Sequence, residues 1–133
     1  MARRVLPRIV IVSDDRWLRV GLRGELRERG YDAVGAHDVT EAIHTSRPEP
    51  DRGPVRLMLV DQTSLGSELD AGAVGRLRRA TWQARLVLIA PRNRKEAEGP
   101  WAHVLRRPIT IGDIVDYIVQ TLPDEHAAGP IDE

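Results

Sequence analysis

Residues 8–15 read RIVIVSDD, in which four apolar residues run directly into a serine and two acids. Residues 55–61 repeat the pattern as VRLMLVD, with Asp61 at the end. Apolar runs without alternation are typical of strands that are buried on both faces of a parallel sheet. A carboxylate at the end of such a run is costly unless it reaches a surface or a site. Because ligands bind outside the carboxyl ends of parallel strands, we expect Asp14 and Asp61 to converge at one edge of the sheet.

Composition limits the classes of protein that this chain can belong to. The chain has 133 residues, with 20 basic and 20 acidic side chains and no cysteine. This length allows one domain with a core, and zero net charge gives no support for binding nucleic acid or an anionic membrane. The absence of cysteine excludes disulfides and thiolate metal sites. No apolar stretch resembles a signal peptide or a membrane span, so we expect a cytoplasmic protein.

Helical patterns alternate with further strands along the chain. Leu18, Leu22 and Leu26 recur every fourth residue and predict a helix over residues 16–29, which Gly30 ends. Apolar runs predict the other strands at residues 31–36, 55–60, 85–90 and 102–106, and later helices over 69–82 and 111–122. Five strands that alternate with helices predict an α/β fold, a doubly wound, flavodoxin-like parallel sheet in the order 2-1-3-4-5.

The segment between the fourth and fifth strands is short for a helix. Residues 92–98 allow about two helical turns before Gly99 and Pro100 end them. We therefore expect a shortened fourth helix. The domain is predicted to cover residues 1–123, and the polar residues 124–133 are predicted to form a flexible C-terminal tail.

The order and spacing of these motifs resemble those of response-regulator receiver domains. The resemblance extends from Arg8 to Leu122 and rests on residues 9–15, 18–22, 57–61 and 104–109. It implies that Asp61 is the position that accepts a phosphoryl group from a histidine kinase. It also implies a Mg²⁺ site made by Asp14, Asp61 and the backbone carbonyl of Thr63. Because Ser13 replaces the first of the family's two acids after strand one, we expect any Mg²⁺ binding to be weak.

The sequence departs from the receiver pattern at the positions that carry the family's switch. Ile89 and Ala90 stand where the family has a hydroxyl side chain, and Val104 stands where it has an aromatic one. Arg107 replaces the family's lysine before the proline. Arginine keeps the positive charge but presents a planar fork of donors, so we expect it to pair with the strand-end acids.

Three functions follow from these observations. The favoured one is an atypical receiver-like signalling domain, not an enzyme, that contacts a histidine kinase or another signalling protein without using phosphorylation. The second is a working phosphoacceptor with Asp61 as acceptor, and the third is a flavodoxin-like module that binds a small anion at an arginine-rich rim. The candidate interaction surface contains Arg94, Trp101 and Arg106, and a homodimer through Trp101 and the last helix is an open alternative.

Overall fold

A five-stranded parallel sheet forms the centre of the computed structural model, which describes residues 5–122. Its strands are β1 (Arg8–Val12), β2 (Asp32–Ala36), β3 (Val55–Asp61), β4 (Arg85–Ala90) and β5 (His103–Arg106), in the order 2-1-3-4-5. The helices are α1 (Arg16–Glu28), α2 (Val39–Thr45), α3 (Gln62–Leu65), α4 (Ala71–Ala80) and α5 (Ile111–Thr121). The predicted doubly wound order is therefore confirmed. The predicted domain end at residue 123 and the tail 124–133 lie outside the described residues.

Both faces of the sheet are buried, which explains why the strand sequences are apolar without alternation. Successive side chains of a strand point to opposite faces. One face packs with α1 and α5 and includes Ile9, Ile11, Leu57, Leu59, Val87 and Ile89. The other packs with α2 and α4 and includes Val10, Val12, Met58, Val60, Leu86 and Leu88. No helix within residues 5–122 has the length and apolar character needed to cross a membrane.

The first and last helices begin at N-terminal caps of the kind that the sequence suggested. The side chain of Asp15, rather than that of Asp14, caps α1 by accepting from the backbone N–H groups of Trp17 and Leu18. Thr110 and Asp113 form a capping box at the start of α5. These caps fix the first residues of both helices next to the strand ends where the acids lie.

The connection between β4 and β5 contains no helix, so the two turns expected over residues 92–98 do not form. The side-chain amide of Gln62 donates to the carbonyl of Lys95 and accepts from the N–H of Ala97, both at 2.9 Å. The indole N–H of Trp101 donates to the carbonyl of Ala97 at 2.7 Å. Backbone groups that a helix would pair internally are thus satisfied by side chains from outside the segment.

Gly99 makes room for Trp101 in this connection. A Cβ atom at residue 99 would lie 2.9 Å from Trp101 Cε2 and 2.9 Å from Val74 Cγ1. Gly99→Ala should therefore lower the free energy of unfolding by about 2 kcal/mol, because overpacking of this kind costs about 1–3 kcal/mol. Urea denaturation measures the difference. Gly24→Ala in α1 is the matched control, since a Cβ there meets nothing within 4 Å. Gly24→Ala should not destabilise the protein. If both substitutions lowered the free energy of unfolding equally, crowding at residue 99 would not be the cause.

Candidate functional site

The carboxylate of Asp61 lies at the end of β3 and accepts four hydrogen bonds, although it is only 1% exposed. Its Oδ2 accepts from the hydroxyls of Ser13 at 2.8 Å and Ser64 at 3.0 Å. Its Oδ1 accepts from the backbone N–H of Thr63 and from Nη2 of Arg107, both at 3.1 Å. An ionised carboxylate offers about four lone-pair positions. The four donors therefore use its full hydrogen-bonding capacity.

Three segments bring these donors to Asp61. Ser13 directly follows β1 and is fully buried, and its hydroxyl also accepts from the N–H of Asp15 at 3.0 Å. Arg107 directly follows β5, where its backbone N–H donates to the carbonyl of Ala90 at 3.0 Å. Ser64 belongs to α3, the short helix that Asp61 itself caps. The site is thus built where three strands end at the same edge of the sheet, as in other parallel α/β folds.

Asp14 occupies the rim of this site rather than its centre. Its backbone N–H donates to the hydroxyl of Ser64 at 2.9 Å. Its carboxylate, which is exposed, makes no hydrogen bond or ion pair with residues 5–122. The structure therefore brings Arg107 to Asp61 and leaves the Asp14 carboxylate outside the hydrogen-bonded cluster.

A shallow cavity of about 370 Å³ lies beside Asp14, and its lining includes His37, Asp38 and Glu68. His37 is held between two acids: Nδ1 lies 2.6 Å from Glu41 Oε1, and Nε2 lies 3.1 Å from Asp38 Oδ2. The hydrogen bond to Glu41 and the charges of both acids raise the pKa of His37 above its usual 6.5. The hydrogen bond that the backbone N–H of His37 donates to Glu41 lowers the pKa of that carboxyl. The two acids therefore stabilise the charged form of His37 relative to that of a free histidine side chain.

The residues around Asp61 do not fit a bound divalent cation. Mg²⁺ requires oxygen ligands with free lone pairs in a near-octahedral arrangement. Both oxygens of Asp61 are occupied, and the guanidinium of Arg107 supplies the positive charge that a metal would bring. The contact of Thr63 with Asp61 is made by its backbone N–H, whereas the expected metal ligand was its carbonyl oxygen. Within residues 5–122, no three His, Asp or Glu side chains are grouped so that they could hold a metal ion.

The positions beside Asp61 on the neighbouring strands are apolar. Ile89 pairs with Asp61 in the register of β3 and β4 and is fully buried among the side chains on the α1–α5 face. Ala90 and the half-buried Val104 pack on the opposite face. These three residues therefore supply no hydroxyl that could bind an oxygen of a phosphoryl group on Asp61.

Comparison with known proteins agrees with this architecture. None of the protein-family models matches the sequence, and no curated protein matches it. Among solved structures, the receiver domain from the hybrid histidine kinase CckA is 24% identical, with a TM-score of 0.65 over 86% of this chain and 98% of that domain. A CheY-like receiver domain protein from Methanospirillum hungatei is 16% identical, with a TM-score of 0.68 over 87% and 94%. The chain has the receiver-domain fold.

A third solved receiver-type structure contains ligands. It is a response regulator protein from Burkholderia pseudomallei with a phosphorylated aspartic acid, a calcium ion and citrate. It is 16% identical, with a TM-score of 0.64 over 96% of this chain and 77% of that one. At this level of identity the likeness concerns the fold alone.

The sequence did not indicate two of the residues that organise this receiver-like site. Ser64 donates to Asp61 and accepts from the N–H of Asp14, and Gln62 holds the connection between β4 and β5. Both residues belong to α3, the short helix that follows Asp61. The only signal in the sequence was their position within three residues of a strand-end acid, where a short helix can return side chains to that acid.

The candidate interaction surface on the same side of the domain is partly occupied by its own contacts. Arg106 donates to Glu96 Oε2 at 2.6 Å and to the carbonyl of Pro91 at 2.8 Å. Trp101 is half-buried, and Ala97 accepts its indole N–H. Arg94 is exposed, and its guanidinium makes no ion pair within residues 5–122. Arg94 is therefore the member of this surface whose charge is presented to solvent.

Proposed function

We propose that this chain is an atypical receiver-like signalling domain that works through protein–protein contact, without phosphorylation of Asp61. The observation that carries the proposal is the set of four hydrogen bonds on the Asp61 carboxylate. Attack on a phosphoryl group needs a carboxylate lone pair that is free and directed at phosphorus. Here each oxygen is engaged by two donors, so phosphorylation would require at least one of these bonds to break.

The charge requirements of phosphoryl transfer support the same proposal. The transferred group spreads negative charge over its oxygens, and catalysis depends on cations and donors that are already in place around them. Arg107 is committed to Asp61 itself, and no other cation contacts the carboxylate within residues 5–122. Ile89 and Ala90 supply no hydroxyl on the neighbouring strand. A domain built in this way keeps the shape of a receiver while lacking the partners that the reaction needs.

The connection between β4 and β5 is the surface that we assign to the partner. Gln62, the residue after Asp61, fixes its backbone at Lys95 and Ala97. Arg106 braces it from β5 through its ion pair with Glu96 of the connection. A surface held in one shape by side chains binds with little ordering cost. Its exposed cation, Arg94, favours an acidic patch on the partner, which we take to be a histidine kinase or another signalling protein of the cytoplasm.

An amide NMR titration tests whether Asp61 still works as an acceptor. We expect no change in the signals of β3, α3 and β5 when millimolar Mg²⁺ and then beryllofluoride, a phosphoryl mimic, are added. Asp61→Asn is the matched control, because it removes the acceptor charge but keeps the side-chain shape. Signals that move in the natural chain and stay in place in Asp61→Asn would show that the phosphoacceptor works, and the proposal would then be wrong.

A further inference from the structure

Two of the three tryptophans in the chain expose most of their side chains to solvent. Trp17, near the start of α1, is 83% exposed, and Trp82, in the turn between α4 and β4, is 72% exposed. Trp101 is half-buried, and its indole N–H donates to the carbonyl of Ala97. A large apolar ring is costly to leave in water, and tryptophan is enriched in the buried centres of protein–protein interfaces. The surroundings of Trp17 and Trp82 therefore decide which of them marks a contact surface.

Trp82 forms part of the wall of a cavity of about 420 Å³ at the end of the sheet where β3 begins, opposite from Asp61. One side of the cavity is the loop wall, residues 46–54, which contributes Pro48 and Pro54. The other side is the turn wall, residues 79–85, which contributes Ala80 and Trp82. An exposed indole thus stands directly beside a hollow that two proline rings and a methyl group line.

The polar side chains that line this cavity are mostly engaged by the chain itself. The hydroxyls of Ser46 and Thr81 each donate to the carbonyl four residues earlier, both at 2.7 Å. Nε and Nη2 of Arg52 donate to the two carboxylate oxygens of Asp32 at 2.8 and 3.1 Å. Gln83 is exposed and makes no side-chain hydrogen bond within residues 5–122. A cavity with so few free polar side chains suits an apolar occupant.

The loop wall is held in one shape. Nη1 of the fully buried Arg8 donates to the carbonyls of Arg47 and Gly53, both at 3.2 Å. The turn over residues 49–52 is closed by a backbone hydrogen bond of 3.2 Å and has Pro50 at its second position, where proline is favoured. A partner that binds this loop therefore meets a surface that is already ordered, which lowers the cost of binding.

The charges near the cavity differ between its two walls. Arg79 and Arg85, three residues before and after Trp82, are exposed and make no ion pair within residues 5–122. In the loop wall the Glu49 carboxylate is half-exposed, and its contact with Nη1 of Arg52 is long, at 3.4 Å. The exposed Arg47 places a cation before Pro48, so the acidic part of the loop is Glu49 itself. The turn wall, aromatic and cationic, fits a proline-rich segment that carries an acid, and the loop wall of an identical chain is such a segment.

We propose that a second copy of this chain binds at this cavity, so that the domain forms a symmetric homodimer. In a two-fold symmetric contact the same surface of both copies takes part, and the loop wall of each copy meets the turn wall of the other. Trp82 of each copy enters the cavity of the other and packs against its proline rings. Glu49 of each copy faces Arg79 and Arg85 of the other.

This dimer leaves the Asp61 end of both sheets accessible. The connection between β4 and β5, at that end, is then presented twice by one assembly. Two linked copies of a binding surface raise the avidity for a partner that also has two sites. The inference goes beyond the function proposed above and does not depend on it, because the residues of the dimer contact lie at the other end of the sheet.

Sedimentation velocity of the full chain at micromolar to millimolar concentrations tests the proposal. We expect a reversible equilibrium between monomer and dimer. Trp82→Ala should raise the dimer dissociation constant by at least about 30-fold, as for a central interface tryptophan. Trp17→Ala is the matched control, because it removes an equally exposed indole from the opposite end of the domain and should leave the constant unchanged. A natural chain that stays monomeric at millimolar concentration, or equal effects of the two substitutions, would overturn the proposal.

Charge reversal tests how the two copies are arranged. Glu49→Arg alone should weaken the dimer, and so should Arg79→Glu combined with Arg85→Glu, because each change places like charges opposite one another. An equimolar mixture of these two variants should dimerise again, since both contacts of the mixed dimer then join opposite charges. A loss of folding cannot produce this recovery. If the mixture were as weak as each variant alone, the loop wall would not face the turn wall, and the proposed contact would be wrong.

Discussion

Asp61→Ala is expected to lower the free energy of unfolding by about 3 kcal/mol. The substitution removes the acceptor of four hydrogen bonds at once, including those of the fully buried Ser13 and of Arg107. Removing one partner of a buried ion pair costs about 3–5 kcal/mol. We take the lower end because the side chain of Arg107 is 30% exposed and water can reach it after the substitution. The measurement is urea denaturation at neutral pH.

Asp14→Ala provides the matched control for this experiment. Asp14 is also a strand-end acid, but its carboxylate makes no contact of this kind within residues 5–122, and its backbone bond to Ser64 survives the substitution. Its removal should change the free energy of unfolding by less than about 0.5 kcal/mol, as for most exposed positions. If Asp61→Ala and Asp14→Ala lowered the free energy of unfolding by similar amounts, the hydrogen bonds to Asp61 would not explain its contribution to stability.

The sign of the Asp61→Ala effect separates two kinds of site. In a cluster of carboxylates that is kept ready for a cation, each acid is destabilised by its neighbours, so removing one relieves repulsion and stabilises the fold. In the present site Asp61 is the acid that all the surrounding groups donate to. Its removal leaves donors without an acceptor, which is costly in a buried place. A stabilised Asp61→Ala variant would therefore contradict the proposed function.

The strand order could be predicted from the sequence because the determinants are local. Continuous apolar runs such as residues 9–12 and 86–90 mark strands that helices cover on both faces, and right-handed crossovers leave few ways to arrange them. Helix caps such as Thr110 with Asp113 can also be predicted from the sequence, because both residues lie within one helical turn. These features require no knowledge of what the rest of the chain contributes.

The details of the site could not be predicted because they depend on long-range contacts. Two helical turns were expected over residues 92–98, but Gln62 binds the backbone of Lys95 and Ala97, more than thirty residues further along the chain. The same applies to Ser64, which reaches Asp61 only because α3 turns back after β3. Pairing of Arg107 was expected with either acid, and the choice of Asp61 follows from how β4 holds the Arg107 backbone.

Ser13→Asp combined with Arg107→Lys should make the stability of the domain depend on Mg²⁺. Ser13 Oγ lies 2.8 Å from Asp61 Oδ2, so the substitution places a second carboxylate against the first. It also replaces a donor by an acceptor, so that Oδ2 of Asp61 keeps only the hydroxyl of Ser64 as a donor. Lysine is a compact point charge, unlike the fork of Arg107 that would otherwise bridge both acids. Two adjacent carboxylates without a cation repel, so the doubly substituted chain should unfold more easily when Mg²⁺ is absent.

Thermal unfolding with and without Mg²⁺ measures how much the ion stabilises the doubly substituted chain. A ligand present at about 100 times its Kd stabilises the folded state by about 2.7 kcal/mol, so the Tm of the doubly substituted chain should rise by several degrees on saturation. The natural chain should show no such rise, because donors occupy both oxygens of Asp61. Ser13→Asn with Arg107→Lys keeps the size of the new side chain without its charge and should not respond. If the natural chain gained as much stability from Mg²⁺ as the doubly substituted one, the hydrogen bonds on Asp61 would be weak enough for a metal to displace, and Asp61 would again be a candidate acceptor.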